Sequence, residues 1–492
     1  MDLYRYRSVK SAIKDIKSGA FYFASRNELN DPVEGHVSVY WKGDKPAWEG
    51  LFNNYVCSLF YAISNYLLAE DESVLWEKTL LTDIHAFDSV PLGGLLRKVG
   101  ADLLYDEVIN RIVSFYGKKE LKCSSEELHL ILQLIHNRAF CICMGYYKDS
   151  GIVSKEEADK ILKRQNLDVL NVFPLEQLKK SESDNIRSMI AAIVDNGVTD
   201  LMEHQVVKLG LQKPGFAYGK IDFSRKNLTK VKRERQHRNW IALYMEFPRM
   251  YISQMKNMVY PDAYFVCFSG KNDNSVMWGN YADNHKGVCL IYDVDYNSSE
   301  RDERAGYYIE GAKINPRKVE YGGEIIERNF FETFGRLTRP QIKAWLTGKD
   351  GSLSKYFEPF KDDNSINEWR TQYWETFRVK NFRKLEAWSY EEEYRVFVEN
   401  CFYKNEDVDK EISTKTEKQK RNLKYDIKML KGIIFGIRTS EYDKIKIIKA
   451  LTKKGIADDI EYYQADYDDR SQKIVIRRKL MWGKSSCPCE ES

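Results

Sequence analysis

The 492-residue sequence lacks any run of about 18 consecutive apolar residues, so no segment is expected to span a bilayer as a helix. The first residues also lack the basic-then-apolar pattern of a secretory signal. Nine cysteines are scattered without the spacing of a disulfide framework, and no pair of histidines completes a zinc set near them. We therefore expect a soluble, cytoplasmic protein without membrane association and without a metal site.

The sequence also lacks the short motifs of several familiar enzyme classes. It contains no Gly-x-Gly-x-x-Gly or Walker-type loop, which excludes Rossmann and P-loop phosphate sites. It contains no Gly-x-Ser-x-Gly elbow and no His-Glu-x-x-His helix. Because 77 basic and 73 acidic residues leave a net charge of only +4, attraction to nucleic acid must come from local patches.

What is present indicates a folded chain of more than one compact unit, with 43% hydrophobic and 30% charged residues. Strand-like patterns occur at both ends of the chain, whereas helical periodicity dominates the middle. Chains accept long insertions in surface loops because loop-closure entropy grows slowly with length. We therefore predict an α+β domain formed by residues 1–40 and 257–480, a large all-helical insertion at 41–256, and a flexible tail at 481–492.

Local patterns predict the elements of this domain. Residues 3–7 alternate in polarity as in a strand, Ser8 suits a helix N-cap, and Gly19 suits the end of that helix. Buried strands are predicted at 264–268 and 287–292. Further strands are predicted at 317–321, 390–399, 432–436, 460–464 and 473–478. Helices are predicted at 275–283 and over most of 325–385, with a charged loop at 402–421.

The strongest candidate for a site is the alternation of charged and apolar residues in the strand at 390–399. Side chains alternate along a strand, so Glu391, Glu393 and Arg395 would share one face, opposite an apolar face. The sequence leaves two interpretations open, a polar cleft or an exposed, salt-bridged strand. In a cleft, the pKa of each carboxylate would depend on the other carboxylate and on Arg395.

A second candidate is the aromatic segment at 277–287. Trp278 and Tyr281 would share one face of a short helix, and His285 follows at the helix exit. Such an aromatic stripe packs into a core or stacks on a ligand, and a single histidine is either structural or catalytic.

The third candidate follows the first two predicted strands. Arg5 precedes Tyr6, and the planar arginine fork matches phosphate geometry. Ser25, Asn30 and Asp31 lie near a turn, where such side chains bond ribose hydroxyls or cap the turn.

A basic segment lies within the predicted insertion. Residues 225–238 hold seven lysines or arginines against one acidic residue, Glu234. This pattern fits a solvated helix face or a nucleic-acid-binding surface. On the second interpretation the contacts would come from Lys230, Lys232, Arg233 and Arg235.

Together these blocks resemble a bacterial family known as domain of unknown function 2971, over roughly residues 1–40 and 257–480. The resemblance rests on residues 3–6, 21–25, 30–32, 267–269, 277–287, 388–395, 433–436 and 461–463. The motif layout is in turn similar to the ADP-ribosyltransferase superfamily. That similarity implies a split mixed β-sheet whose cleft holds NAD as a substrate.

The resemblance implies roles for the candidate residues. Arg5 would contact the NAD phosphates or ribose, and Tyr281 or Trp278 would stack on nicotinamide. His285 would orient the substrate. Tyr6, Ser25, Asn30 and Asp31 would complete the NAD site.

The charged strand would supply the chemistry. Glu393 would stabilise the ribose cation that forms when the nicotinamide–ribose bond breaks, as in glycoside cleavage. Glu391 would act as base for the acceptor, and Arg395 would tune both carboxylates.

We therefore expect an NAD-dependent ADP-ribosyltransferase or NAD glycohydrolase of toxin or phage-defence type, with a nucleic acid or a protein as acceptor. One alternative is a non-catalytic nucleotide-binding sensor module. A second is a metal-dependent nuclease using Asp31, Glu391 and Glu393, which ranks last because no lysine lies beside them in the usual spacing. The insertion could form a homo-oligomer surface or a lid.

Overall fold

The computed structural model describes residues 1–31, 34–68, 80–81, 91–151, 156, 243, 246–294, 306, 308, 314–399 and 421–478. The chain divides into two compact units. The sheet unit comprises residues 1–37, 261–326 and 375–492, and the helical unit comprises 38–260 and 327–374. The predicted nucleic-acid contacts Lys230, Lys232, Arg233 and Arg235 and the predicted tail at 481–492 lie outside the described residues.

The sheet unit is built on a mixed sheet of nine described strands. They are β1 (Asp2–Arg7), β3 (Ala24–Ser25), β5 (Ala263–Ser269), β6 (Val288–Asp293), β7 (Arg317–Lys318), β11 (Glu393–Glu399), β13 (Leu430–Phe435), β14 (Glu461–Asp468) and β15 (Lys473–Arg478). Their order is β15-β14-β13-β6-β1-β5-β11-β7, and β3 also pairs with β5. β13 and β14 run parallel, whereas the other neighbours run antiparallel. The predicted α+β class with a mixed sheet is confirmed.

Two smaller strand pairs and four helices complete the described part of this unit. β2 (Ala20–Tyr22) pairs with β12 (Asn422–Lys424), and β8 (Glu320–Tyr321) pairs in parallel with β10 (Arg383–Lys384). The helices are α1 (Val9–Ser18), α7 (Ser275–Tyr281), the end of α9 (Asp363–Asn381) and α10 (Glu441–Lys454).

Apolar side chains cover both faces of the sheet. On one face Ile16 of α1 and Ile447 of α10 join sheet residues such as Leu290 in a buried core. On the other face Trp278 of α7 packs with Tyr6. Central strands covered on both faces are apolar along their whole length, which explains why β5 and β6 were predicted as buried strands.

Helix α1 begins and ends as its sequence predicts. The side chain of Ser8 accepts a hydrogen bond from the Ser11 amide, and Gly19 closes the helix in the left-handed region at a φ of 57°. An N-cap side chain satisfies one of the orphan amides of the first turn, and glycine adopts positive φ without strain. α1 therefore starts directly after β1.

The helical unit contains α2 (Lys45–Leu68), α3 (Pro91–Leu104), α4 (Glu107–Lys119), α5 (Ser125–Asp149), α6 (Phe247–Val259), α8 (Arg339–Trp345) and the start of α9, with a parallel strand pair of β4 (Ser38–Tyr40) and β9 (Glu327–Asn329). Residues 327–374 were predicted to belong to the β-containing domain, yet their contacts group them with the helical unit. Phe331 packs on Trp48, and a Cβ on Gly50 would lie 2.0 Å from the Trp345 carbonyl oxygen. That close approach depends on tertiary packing, which the periodicity of residues 327–374 does not encode.

Candidate functional site

The sheet opens between its two central strands. β1 pairs with β6 at all six of its residues but with β5 only at Tyr4 opposite Ser269. β5 itself pairs with β11 along its whole length. Beyond Tyr4 the two strands part, and β3 takes up pairing with β5 at Phe265 and Tyr264. The sheet thus has a gap on one side of β1.

A cleft lies at this gap, entirely within the sheet unit. Its volume is ≈ 200 Å³, far above the ~10–15 Å³ that one water requires, so it accepts a ring-sized part of a ligand. The residues that line it are 4–7, 22, 24, 28–30, 34, 265, 267–269, 277, 281, 384, 391, 393 and 395.

One wall of the cleft is a cluster of buried charges around Glu393. Arg395 Nε and Nη2 donate to the two oxygens of Glu393 at 2.5 and 2.7 Å. Lys384 Nζ donates to Glu393 Oε2 at 3.2 Å and to Glu391 Oε2 at 2.6 Å. Because charged side chains are rarely buried without partners, a cluster of this kind needs each of these contacts.

Glu34 closes the cluster into a ring of alternating charge. Its Oε1 contacts Arg395 Nη2, and its Oε2 lies 3.6 Å from Lys384 Nζ. Glu34 and Glu393 are therefore each bound to the same two cations. Glu391 lies outside this ring and contacts only one of the cations, Lys384.

The ring residues and Glu391 are between 1 and 6% exposed. Burial opposes ionisation of Glu393, but Arg395 and Lys384 outweigh it and lower the pKa of Glu393 to about 2. For Glu34, burial and the nearby Glu393 outweigh the two cations and raise the pKa. Burial also opposes the charge of Lys384, yet the three carboxylates raise its pKa. Of the ring carboxylates, Glu34 is the one whose surroundings favour a proton.

Glu391 reaches the cluster by a turn and not by strand alternation. β11 begins at Glu393, and residues 386–391 form a 3-10 helix instead of the predicted start of the strand. Between them Glu392 has a left-handed backbone, at a φ of 42°, so the extended strand does not continue back to Glu391. Alternation does place Glu393 and Arg395 on one face, as predicted. The predicted exposed alternative is wrong, because every residue of β11 is buried.

On its other side Glu391 is held by the aromatic helix. The Tyr281 hydroxyl donates to Glu391 Oε1 at 2.5 Å, and Asn30 Nδ2 donates to the Tyr281 oxygen. Burial and the carboxylate of Glu391 raise the pKa of Tyr281, so its hydroxyl keeps its proton. Tyr281 and Asn30, which the sequence indicated as candidate site residues, both line the cleft.

The basic residues of β1 line the cleft as well. Arg7 donates to both oxygens of Asp15 at 2.9 and 3.2 Å, and Arg5 Nη1 lies 3.5 Å from the same carboxylate. Burial and Arg7 lower the pKa of Arg5. Two guanidinium groups thus share one carboxylate, which leaves a positive charge on this wall. Tyr6 also lines the cleft, with its hydroxyl bonded to the Lys271 carbonyl at 2.9 Å.

The structure places four of the predicted site residues outside the lining of this cleft. Trp278 is completely buried and donates to the Asn272 carbonyl at 2.8 Å, so the prediction that it stacks on a ligand is corrected to a core role. Ser25 caps a short 3-10 helix through Glu28. Asp31 is 2% exposed and does not line the cleft.

His285 is the fourth. It ends a run of three residues, Asp283 to His285, with φ values of 49°, 53° and 67°. Its carbonyl accepts the Arg438 amide at 3.0 Å, and burial and Arg438 lower the pKa of its ring. This left-handed turn keeps His285 away from the cleft lining, so the structure does not bring it to Glu391.

Sequence reasoning missed several residues of the site, above all Lys384 and Glu34. Lys384 lies on the two-residue strand β10, and Glu34 lies in a turn, so neither has a periodic pattern around it. Glu28 was also missed. Burial opposes its ionisation, but hydrogen bonds from Ser25, Tyr22 and Arg421 lower its pKa to about 2.

The lysine also bears on the nuclease alternative. That alternative ranked last because no lysine lies beside the carboxylates in the usual nuclease spacing, yet Lys384 contacts Glu391 and Glu393 in space. Asp31, its third proposed ligand, does not line the cleft. Within the described ranges no group of three or more His, Cys, Asp or Glu side chains is arranged to hold a metal ion.

Across the described segments no single helix has both the length and the apolar character to cross a membrane. The two arms of α5, residues 125–133 and 135–149, reach that length and apolar character only when they are taken together, and they are bent relative to each other.

In comparisons with known proteins, no curated protein and no solved structure matches the chain. Residues 277–396, which include most of α7 and the start of β11, match the model of a family described as a protein of unknown function, DUF2971.

Proposed function

We propose that the chain is an NAD-dependent ADP-ribosyltransferase or NAD glycohydrolase whose chemistry takes place in the cleft between β1 and β5. The observation that carries the proposal is the buried carboxylate pair Glu391 and Glu393 on the wall of a split in the sheet. Because the motif layout is similar to that of the ADP-ribosyltransferase superfamily, we interpret this split as the site where NAD binds.

The charge balance of the cluster supports this chemistry. Three carboxylates, Glu34, Glu391 and Glu393, face two cations, Lys384 and Arg395, so the wall is neutral or negative. Breaking the nicotinamide–ribose bond develops positive charge on the ribose, as in glycoside cleavage. A fixed negative group in a water-poor site stabilises such a charge without reorganisation.

The opposite wall supports the orientation of the substrate. Arg5 and Arg7 share Asp15 and line the cleft, so they offer charge and N–H donors to a pyrophosphate. A dinucleotide would then lie with its phosphates toward β1 and its nicotinamide ribose toward β11. In the proposal the acceptor is a nucleic acid or a protein, and a role in toxin action or phage defence rests on the family likeness alone.

The test is turnover of NAD by the purified full-length chain, with nucleic acid or protein as acceptor. Released nicotinamide is followed by chromatography, and a label in the adenylate part shows whether ADP-ribose joins the acceptor or water. We expect release that falls about 10²–10³-fold when the carboxylate pair is neutralised, by analogy with oxyanion-site variants. Glu392→Gln is the matched control, because Glu392 neighbours the pair but pairs with Lys271 outside the cleft lining. No release with any acceptor would contradict the proposal.

A second candidate is a nucleotide-binding module without catalysis. It is favoured by the fact that both oxygens of Glu393 are bound to Arg395, which suits a structural role. NAD that binds and is recovered intact would select this candidate.

A further inference from the structure

The two carboxylates of the pair differ in how many of their lone pairs are already used. A carboxylate has about four acceptor positions on its two oxygens. Glu393 accepts from Arg395 Nε, Arg395 Nη2 and Lys384 Nζ, and the Cys267 thiol adds a fourth hydrogen bond. Its acceptor positions are therefore filled by the protein.

By comparison, only about half of the acceptor positions of the Glu391 carboxylate are occupied. Among the described residues its carboxylate oxygens accept from Tyr281 at 2.5 Å and from Lys384 at 2.6 Å. About two acceptor positions remain, on a side chain that lines the cleft. A substrate hydroxyl or a developing cation can therefore approach Glu391 without breaking an existing bond.

The neighbouring strands β8 and β10 explain how Glu391 and Glu393 are held in place. β8 and β10 pair at Tyr321 and Lys384. The Tyr321 hydroxyl accepts the amide of Glu393 at 2.7 Å, while Lys384 holds both carboxylates. One short strand pair thus fixes the backbone of one glutamate and the distance between the two.

From this geometry we infer that Glu391, and not Glu393, is the carboxylate that contacts the substrate ribose, while the ring of Glu34, Arg395, Glu393 and Lys384 positions it. The inference rests on the proposed function for the identity of the substrate. It reverses the roles that the sequence resemblance implies for the two glutamates.

The chemical step is then as follows. The C1′–N bond of the nicotinamide riboside breaks, and its electron pair leaves with neutral nicotinamide. Glu391 stabilises the resulting ribose cation. An oxygen of water or of the acceptor forms the new bond to C1′, and its proton passes to Glu391.

The experiment compares three full-length variants with the unmodified chain. They are Glu391→Gln, the control Glu392→Gln, and the double variant Glu393→Gln/Arg395→Met, which removes both charges of the Glu393–Arg395 ion pair and leaves Lys384 beside Glu34 and Glu391. Nicotinamide release, thermal unfolding and binding of 1-methylnicotinamide, a pyridinium cation without phosphate, are measured for each. We expect Glu391→Gln to lower release about 10²–10³-fold and to weaken binding of the cation, with its unfolding midpoint close to that of the unmodified chain.

We expect the double variant to lower release less than Glu391→Gln does and to keep binding of the cation. Full release by Glu391→Gln would overturn the inference, and so would an equal loss in a folded double variant. If the double variant does not fold, the activity of Glu391→Gln alone decides. If the unmodified chain releases no nicotinamide, the proposed function fails separately. Binding of 1-methylnicotinamide that depends on Glu391 then supports the inference, and binding that does not depend on Glu391 refutes it.

Discussion

At the scale of single residues, the site is governed by which carboxylates carry protons. Glu34 and Glu393 are bound to the same two cations, yet their pKa values move in opposite directions. Glu393 accepts hydrogen bonds from both Arg395 and Lys384, whereas for Glu34 burial and the neighbouring Glu393 outweigh the same two cations. Two carboxylates on shared cations divide the charge unequally.

This difference predicts opposite pH dependences for two neutral variants. The pKa of Glu393 is about 2 against an ordinary 4.5, so its ionised form stabilises the fold above pH 4.5, and this contribution is lost as pH falls toward 2. Glu393→Gln should therefore lose about 3 kcal/mol of unfolding free energy at pH 7, because it leaves Arg395 without its main partner. Its stability should converge with that of the unmodified chain in acid.

The raised pKa of Glu34 gives the opposite dependence of stability on pH. Its contribution is complete below its ordinary pKa and is lost as pH rises through the folded value. Glu34→Gln should therefore gain stability relative to the unmodified chain as pH rises above 4.5, the ordinary pKa of the group. Urea unfolding from about pH 2 to about pH 8 measures both variants, and parallel curves for the two would refute the division of charge.

At the scale of elements, the turn between the 3-10 helix at 386–391 and β11 determines the site. Glu392 adopts a φ of 42°, which costs a residue with a side chain roughly 1–2 kcal/mol. Strain at such a position is maintained only where the surroundings require it. Here it turns Glu391 back toward Lys384 while leaving Glu393 on the strand.

Substitutions at Glu392 should separate backbone conformation from charge. Glu392→Val places a β-branched residue at positive φ and should lower the unfolding free energy by about 1–3 kcal/mol. It should also reduce nicotinamide release by displacing Glu391. Glu392→Gly accepts the same φ and should retain both stability and release. Equal behaviour of the two variants in unfolding and turnover assays would show that the turn does not position Glu391.

At the scale of the whole molecule, the sheet unit holds the cleft, while the predicted acceptor surface lies in the basic segment 225–238, outside the described residues. Charge reversal at Lys230, Lys232, Arg233 and Arg235 should weaken nucleic-acid binding. If all four contact phosphates, the magnitude of the slope of log affinity against log salt should fall by roughly 3.6, since each phosphate contact contributes ~0.9. Binding titrations at several salt concentrations test this, and an unchanged slope would remove nucleic acid as the partner of this segment.

How far sequence predicts this molecule depends on the range of the interaction. β1, α1, β5 and β6 were predicted because periodicity and capping are local signals. The pairing of β1 with both β5 and β6 joins residues more than 250 positions apart, and no local pattern carries it.

The candidate site shows the same limit at the residue scale. Glu391, Glu393 and Arg395 were found because they alternate within five residues. Lys384 and Glu34 were missed because only their contacts in the folded structure place them in the site. Trp278 was misassigned because an aromatic stripe has the same sequence whether it packs in a core or lines a cleft.

The single pairing between β1 and β5 has a consequence for amide exchange. Beyond Tyr4, β1 keeps its ladder with β6 on one side and faces the cleft on the other. Its amides should therefore alternate between slow and fast deuterium uptake, as if one strand were both interior and edge. A ligand that binds against the open side of β1 would supply hydrogen-bond acceptors for the amides that face the cleft. Loss of the alternation in deuterium uptake would therefore detect binding without a label on the ligand.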